Sequence, residues 1–124
     1  MSSLNGLINN DEREIIDSTI FSTVKYYTDK EPPSLTAREF CRRMYGLSSL
    51  PEIEILRVEM HSEYRKRCIG LLSKALGVQR QSVSNWGGGL DFRKMPAIHY
   101  RSLGMYWELY ELRREIRRLR RFGA

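Results

Sequence analysis

One stretch constrains this chain more than any other: Leu72-Ser73-Lys74-Ala75-Leu76-Gly77-Val78-Gln79-Arg80-Gln81-Ser82-Val83-Ser84-Asn85-Trp86. Gly77 supplies a turn conformation that a Cβ would oppose. Ser73 is small, which lets a following helix come close. Val78, Val83 and Trp86 give an apolar inner edge, and Val83 and Trp86 lie three apart on one helical face. Two helices meeting at a tight bend satisfy all of these positions at once. The outer face then presents Arg80, Gln81, Ser84 and Asn85, with Gln79 and Ser82 near the start of the second helix. Arginine pairs bidentately with guanine, and glutamine or asparagine with adenine, so this face is chemically suited to base edges.

The remaining chain carries helical spacing and no sustained alternation, which predicts an all-α fold. Met1–Asn10 is rich in Ser, Asn and Gly and reads as a loose start. Asn9 and Glu12 can form a capping box for a first helix whose apolar positions are Ile16, Ile20, Val24 and Tyr27. Pro32-Pro33 cannot continue that helix, so Asp29–Ser34 reads as a hinge. Thr36 and Glu39 open a second helix with Ala37, Phe40, Cys41 and Met44 on one face. Gly46 suits the left-handed position that closes it, with Leu47 folding back. Ser49, Pro51 and Glu52 signal a third start. From there Ile53, Leu56, Met60, Tyr64, Cys68, Leu71 and Ala75 recur at a mean spacing of about 3.7, near the helical period. That stripe favours one helix over roughly 51–76; the alternative is two helices meeting near His61-Ser62. Pro96 can open a last helix running to about Arg121, interrupted by Gly104. The expected organisation is an N-terminal helical segment with its hinge, 1–34, and a helical domain, 35–124.

The bend at about 69–88 resembles the helix-turn-helix of the lambda-repressor-like DNA-binding proteins. The resemblance rests on the small residue four before the turn glycine (Ser73), the β-branched residue six after it (Val83) and the large apolar residue three further on (Trp86). Ser73 stands where alanine is usual, Gly87-Gly88-Gly89 follows where a more polar loop is common, and the preceding helix is longer. The resemblance implies base contacts by Arg80, Gln81 and Asn85, with Gln79, Ser82 and Ser84 touching bases or phosphates. It implies double-stranded DNA as the partner and transcriptional regulation as the role, through insertion of the 79–86 helix in the major groove.

Charge is distributed to match. The net charge is +6, yet residues 1–64 sum to −4 and residues 65–124 to +10. Concentrated positive charge suits a polyanion, because each neutralised phosphate releases condensed counterions. Arg65, Lys66, Arg67 and Lys74 flank the bend, and Arg93 and Lys94 follow it; these are candidate DNA-backbone contacts that fix register without reading sequence. The Gly87–Gly89 run reads as a flexible link or helix stop, although its amides could approach a phosphate. In the last helix Met105, Leu109, Leu112, Ile116 and Leu119 form a two-heptad seam suited to a homodimer, or to packing on the chain's own first helices. Arg113, Arg114, Arg117, Arg118, Arg120 and Arg121 surround its end. The acidic N-terminal portion is a candidate protein-partner element.

Other chemistry is thinly represented. The spacings of His61, His99, Cys41 and Cys68 match no paired-ligand signature, so no metal or cofactor is expected. Cys68 sits on an apolar stripe, which favours a buried, inert thiol over a redox sensor. No nucleophile–base arrangement stands out, and an enzyme is not expected. No apolar run approaches the ~20 residues that cross a bilayer, which points to a cytoplasmic protein, nucleoid-associated in a bacterium. Two rival roles keep the same helices: an interaction module for an acidic protein, and a DNA-architectural or mobile-element accessory factor.

Overall fold

A computed structural model describes residues 10–123, with side chains placed for residues 18–122. The chain is all-helical: α1 (Asn10–Asp29), α2 (Ala37–Met44), α3 (Glu52–Glu59), α4 (Tyr64–Leu76), α5 (Arg80–Ser84) and a long α6 (Ile98–Gly123), with no strand among the described residues. The expected loose start, the Asn9–Glu12 capping box and the Ile16 side chain fall outside the described residues. The chain forms two compact units, one of Pro32–Trp107 and one joining α1 to α6 from Glu108 onward.

In the Pro32–Trp107 unit the local signals act as their chemistry dictates. Thr36 Oγ1 accepts the Glu39 amide at 3.1 Å and starts α2. The helix stops in a Schellman arrangement: Leu47 N donates to Arg42 O at 2.8 Å and Gly46 N to Arg43 O at 3.1 Å, with Gly46 at φ 72°. Ala37, Phe40, Cys41 and Leu47 are buried as this places them, and Met44 packs against them. The α4 helix is central, touching α2, α3 and α5. All fully buried apolar residues among those described, from Leu35 to Leu103, belong to this unit. Burial and the hydrogen bond from Cys41 to Cys68 tie the two thiols into that core; the bond, then burial, raise the Cys41 thiol well above its ordinary range.

The single helix expected over 51–76 is two, α3 and α4, broken at 60–63. His61 Nδ1 accepts the Glu63 amide at 3.2 Å, a local bond that competes with helical pairing. The break also re-aims α3. Ile53, Leu56 and Met60 are exposed, while Ile55 and Glu59 are buried. Farther on, Tyr64 and Cys68 keep their places in the stripe and Leu72, rather than Leu71, is the fully buried member.

An ion-pair cluster, not the apolar stripe, sets the face of α3. Glu59 accepts Arg38 Nε and Nη2 at 3.1 and 2.8 Å, and Arg42 Nε and Nη2 at 2.8 Å each. Arg38 also reaches Asp91 at 3.2 Å, which ties α2 and α3 to the loop after α5. Two planar forks on one carboxylate satisfy a charge whose burial would otherwise cost several kcal/mol.

Gly104 does not interrupt α6; the helix runs through it. A Cβ there would fall 1.4 Å from the Pro33 carbonyl oxygen, so the Pro32–Thr36 strap lies directly on the helix backbone. Leu35 N donates to Tyr100 O at 3.1 Å and fastens the strap one turn earlier. Only hydrogen fits at 104.

The other unit is a looser pair. The α1 helix presents Ile20, Thr23, Val24 and Tyr27 as a half-buried face of helical spacing. Lys30 Nζ lies 3.4 Å from Glu108 Oε1. Burial and the nearby Glu111, Glu108 and Glu115 raise the Tyr27 phenol above its ordinary value.

Candidate functional site

The bend predicted at Gly77 is present. Gly77 closes α4 with φ 68° and ψ 31°, the left-handed conformation, and its amide donates to Ser73 O at 2.9 Å. Ser73 does more than leave room, for its hydroxyl donates to Val78 O at 2.5 Å and staples the turn. Gln79 is extended and stands at the N-cap of α5. Val83 is fully buried, and Trp86 reaches the core with its ring 5.2 Å from that of His99. These two anchors orient the short helix.

The opposite face is open. Gln79, Arg80, Gln81, Ser82 and Asn85 are exposed, and Ser84 is half-buried. Gln81 Nε2 donates to Asn85 Oδ1 at 3.1 Å, so the two amides are joined across one turn. The Arg80 guanidinium lies back over Gly70, its Nη2 3.4 Å from where a Cβ would stand. Helical spacing puts Lys66, Arg67, Ser73 and Lys74 at three and four residues from Gly70, so they surround the same spot. Lys66, Arg67 and Lys74 are exposed. None of these cations, nor Arg80, has a carboxylate within 4.0 Å among the described residues. The result is a patch of uncompensated positive charge beside two outward amides.

Arg65 has a different post. Its Nε donates to Gly89 O at 2.8 Å, and its Nη2 to Gly87 O at 2.8 Å and Ser84 O at 3.4 Å. Its guanidinium also lies 5.2 Å from the Phe92 ring centre. The glycine run is therefore a loop wrapped around one guanidinium, using its carbonyls, rather than a slack link offering its amides. Gly87 and Gly89 take φ 116° and 73°, and Phe92 takes a positive φ of 46° while fully buried. The loop closes when Lys94 N donates to Trp86 O at 2.8 Å. Beyond it Arg93 and Lys94 are exposed, with Arg93 3.8 Å from Asp91.

The seam positions are unequally covered. Met105 and Leu109 are 54% and 53% exposed, while Leu112, Ile116 and Leu119 are half-buried. The α6 acids that act on Tyr27 are Glu111, Glu108 and Glu115, and Glu108 also pairs with Lys30; all three lie beside the seam rather than along it.

Sequence reasoning missed the Ser73 staple, the Arg65 clamp and the platform at Gly70. A glycine inside an otherwise periodic helix was the available signal for the last. No known protein family, curated protein or solved structure matches this chain. Among the described residues no group of three or more His, Cys, Asp or Glu gathers as metal ligands do, and no helix is long and apolar enough to cross a membrane.

Proposed function

We propose that this chain binds double-stranded DNA in a sequence-specific manner and acts as a transcriptional regulator. In this reading the outer face of α5 enters the major groove, where Arg80, Gln81 and Asn85 meet base edges. The observation that carries it is the division of α5 and the two residues after it: Val83 and Trp86 held in the core, Arg80, Gln81 and Asn85 exposed. Lys66, Arg67 and Lys74 on α4, with Arg93 and Lys94 after the loop, serve as phosphate contacts. Arg65 positions the loop instead. The exposed Met105 and Leu109 support pairing of two chains through α6, which would present two α5 helices to a two-fold site. The site would be worked in the cytoplasm, on the nucleoid in a bacterium.

Selection from a duplex library tests the proposal and should recover a reproducible motif. Arg80→Ala should then cost about 1–3 kcal/mol on that motif and relax one base preference, whereas Lys94→Ala should weaken all duplexes alike. Equal losses on selected and random duplexes for the Arg80 variant would refute base reading. An architectural or mobile-element factor would enrich no motif but would still bend or bridge DNA.

A further inference from the structure

Six arginines, Arg113, Arg114, Arg117, Arg118, Arg120 and Arg121, occupy nine residues of α6, and every one is exposed. At about 100° per residue they fall within an arc of roughly 160°, on the side of the helix away from Met105, Leu109, Leu112, Ile116 and Leu119. This is a face, not a ring. Among the described residues only Glu115 pairs with it, through Arg118. Two of the arginines lie over aromatic rings, Arg114 at 5.7 Å from Tyr110 and Arg118 at 5.8 Å from Phe122, which limits their rotamer freedom. Arg114, Arg117, Arg118 and Arg121 also share a cleft of about 490 Å³ with Tyr27, Tyr110 and two carboxylates, Glu111 and Glu115.

We infer that this face is a second DNA contact, one that grips the phosphate backbone of a duplex independently of α5. Charge density selects the occupant. Residues 113–121 span about 12 Å of helix. Duplex DNA presents one negative charge per about 1.7 Å of axis, hence roughly seven over that length. Six arginines against one carboxylate within 113–121 approach that density. The choice of DNA over RNA rests on the function proposed for α5; phosphate binding by the face does not.

The test uses the full chain carrying Arg114→Gln, Arg117→Gln and Arg121→Gln together, a matching triple change to Lys, and Arg80→Ala. Each is titrated by fluorescence anisotropy onto a random-sequence duplex and a single-stranded RNA across a salt series, with circular dichroism reporting helix content. Loss of three phosphate contacts should lower the log–log salt slope by about 2.7, so the advantage of the wild type should narrow about fortyfold between 50 and 200 mM salt. The Lys triple should keep the slope. An unchanged slope on duplex DNA for the Gln triple overturns the inference, as does a loss seen on RNA alone, or the same loss in the Lys triple. Should library selection find no motif while the Gln triple still loses its slope, the role of α5 falls and this contact stands.

Discussion

Replacing Glu59 with Gln keeps the shape of the side chain and removes the charge that holds α2 against α3. Its side chain is only 2% exposed, and four N–H groups of Arg38 and Arg42 converge on its two oxygens. Burial raises its pKa, but the hydrogen bonds and charges of Arg42 and Arg38 outweigh burial and bring it down to about 2 from an ordinary 4.5. At about 1.4 kcal/mol per pKa unit, that difference corresponds to roughly 3 kcal/mol of folding free energy. The sign follows from the direction. A carboxylate depressed in the folded state contributes fully above about pH 4.5, and its contribution drains away as the pH falls toward 2. Urea unfolding at pH 7 should therefore find Glu59→Gln less stable by about 3 kcal/mol, and the two proteins should converge near pH 2. A gap under about 0.5 kcal/mol at neutral pH would refute the reasoning, and so would a gap of the same size at pH 7 and pH 2.5.

Other substitutions test other joints. Gly104→Ala sets a methyl group 1.4 Å from the Pro33 oxygen, so the strap must lift from α6; the expected loss is about 3 kcal/mol or more, a fall of roughly 10 °C in a thermal melt. Ser73→Ala removes the hydroxyl bond to Val78 O and should cost about 1 kcal/mol in urea unfolding, with no loss if the staple is idle. Met105→Glu with Leu109→Glu changes two exposed seam positions. Sedimentation should show the double variant as a monomer and the wild type as a dimer; identical behaviour would leave the seam without a twin.

Much of the architecture was legible because it is written in short-range chemistry. Thr36 caps, Gly46 and Gly77 close helices in the left-handed conformation, and Pro32-Pro33 ends α1, each for reasons contained within a few residues. The division of residues 80–86 into Val83 and Trp86 buried and Arg80, Gln81 and Asn85 exposed followed from spacing alone. What escaped depends on partners distant in sequence. The stripe through Ile53, Leu56 and Met60 looked apolar enough to be core, yet two arginines on α2 claim Glu59 and turn that stripe to solvent. Gly104 looked like an interruption because nothing near it in sequence reveals the Pro33 carbonyl lying against it. Arg65 resembled its neighbours Lys66 and Arg67, and only the return of the Gly87–Gly89 loop sets it apart.

The close seat of Pro33 on Gly104 divides the molecule by tolerance to change. Position 104 admits no methyl group, whereas Gln79, Gln81, Ser82 and Asn85 are exposed, where exchange usually shifts stability by no more than about 0.5 kcal/mol. A substitution at 104 is felt through the strap by the whole Pro32–Trp107 unit, whereas one at those outer positions stays local.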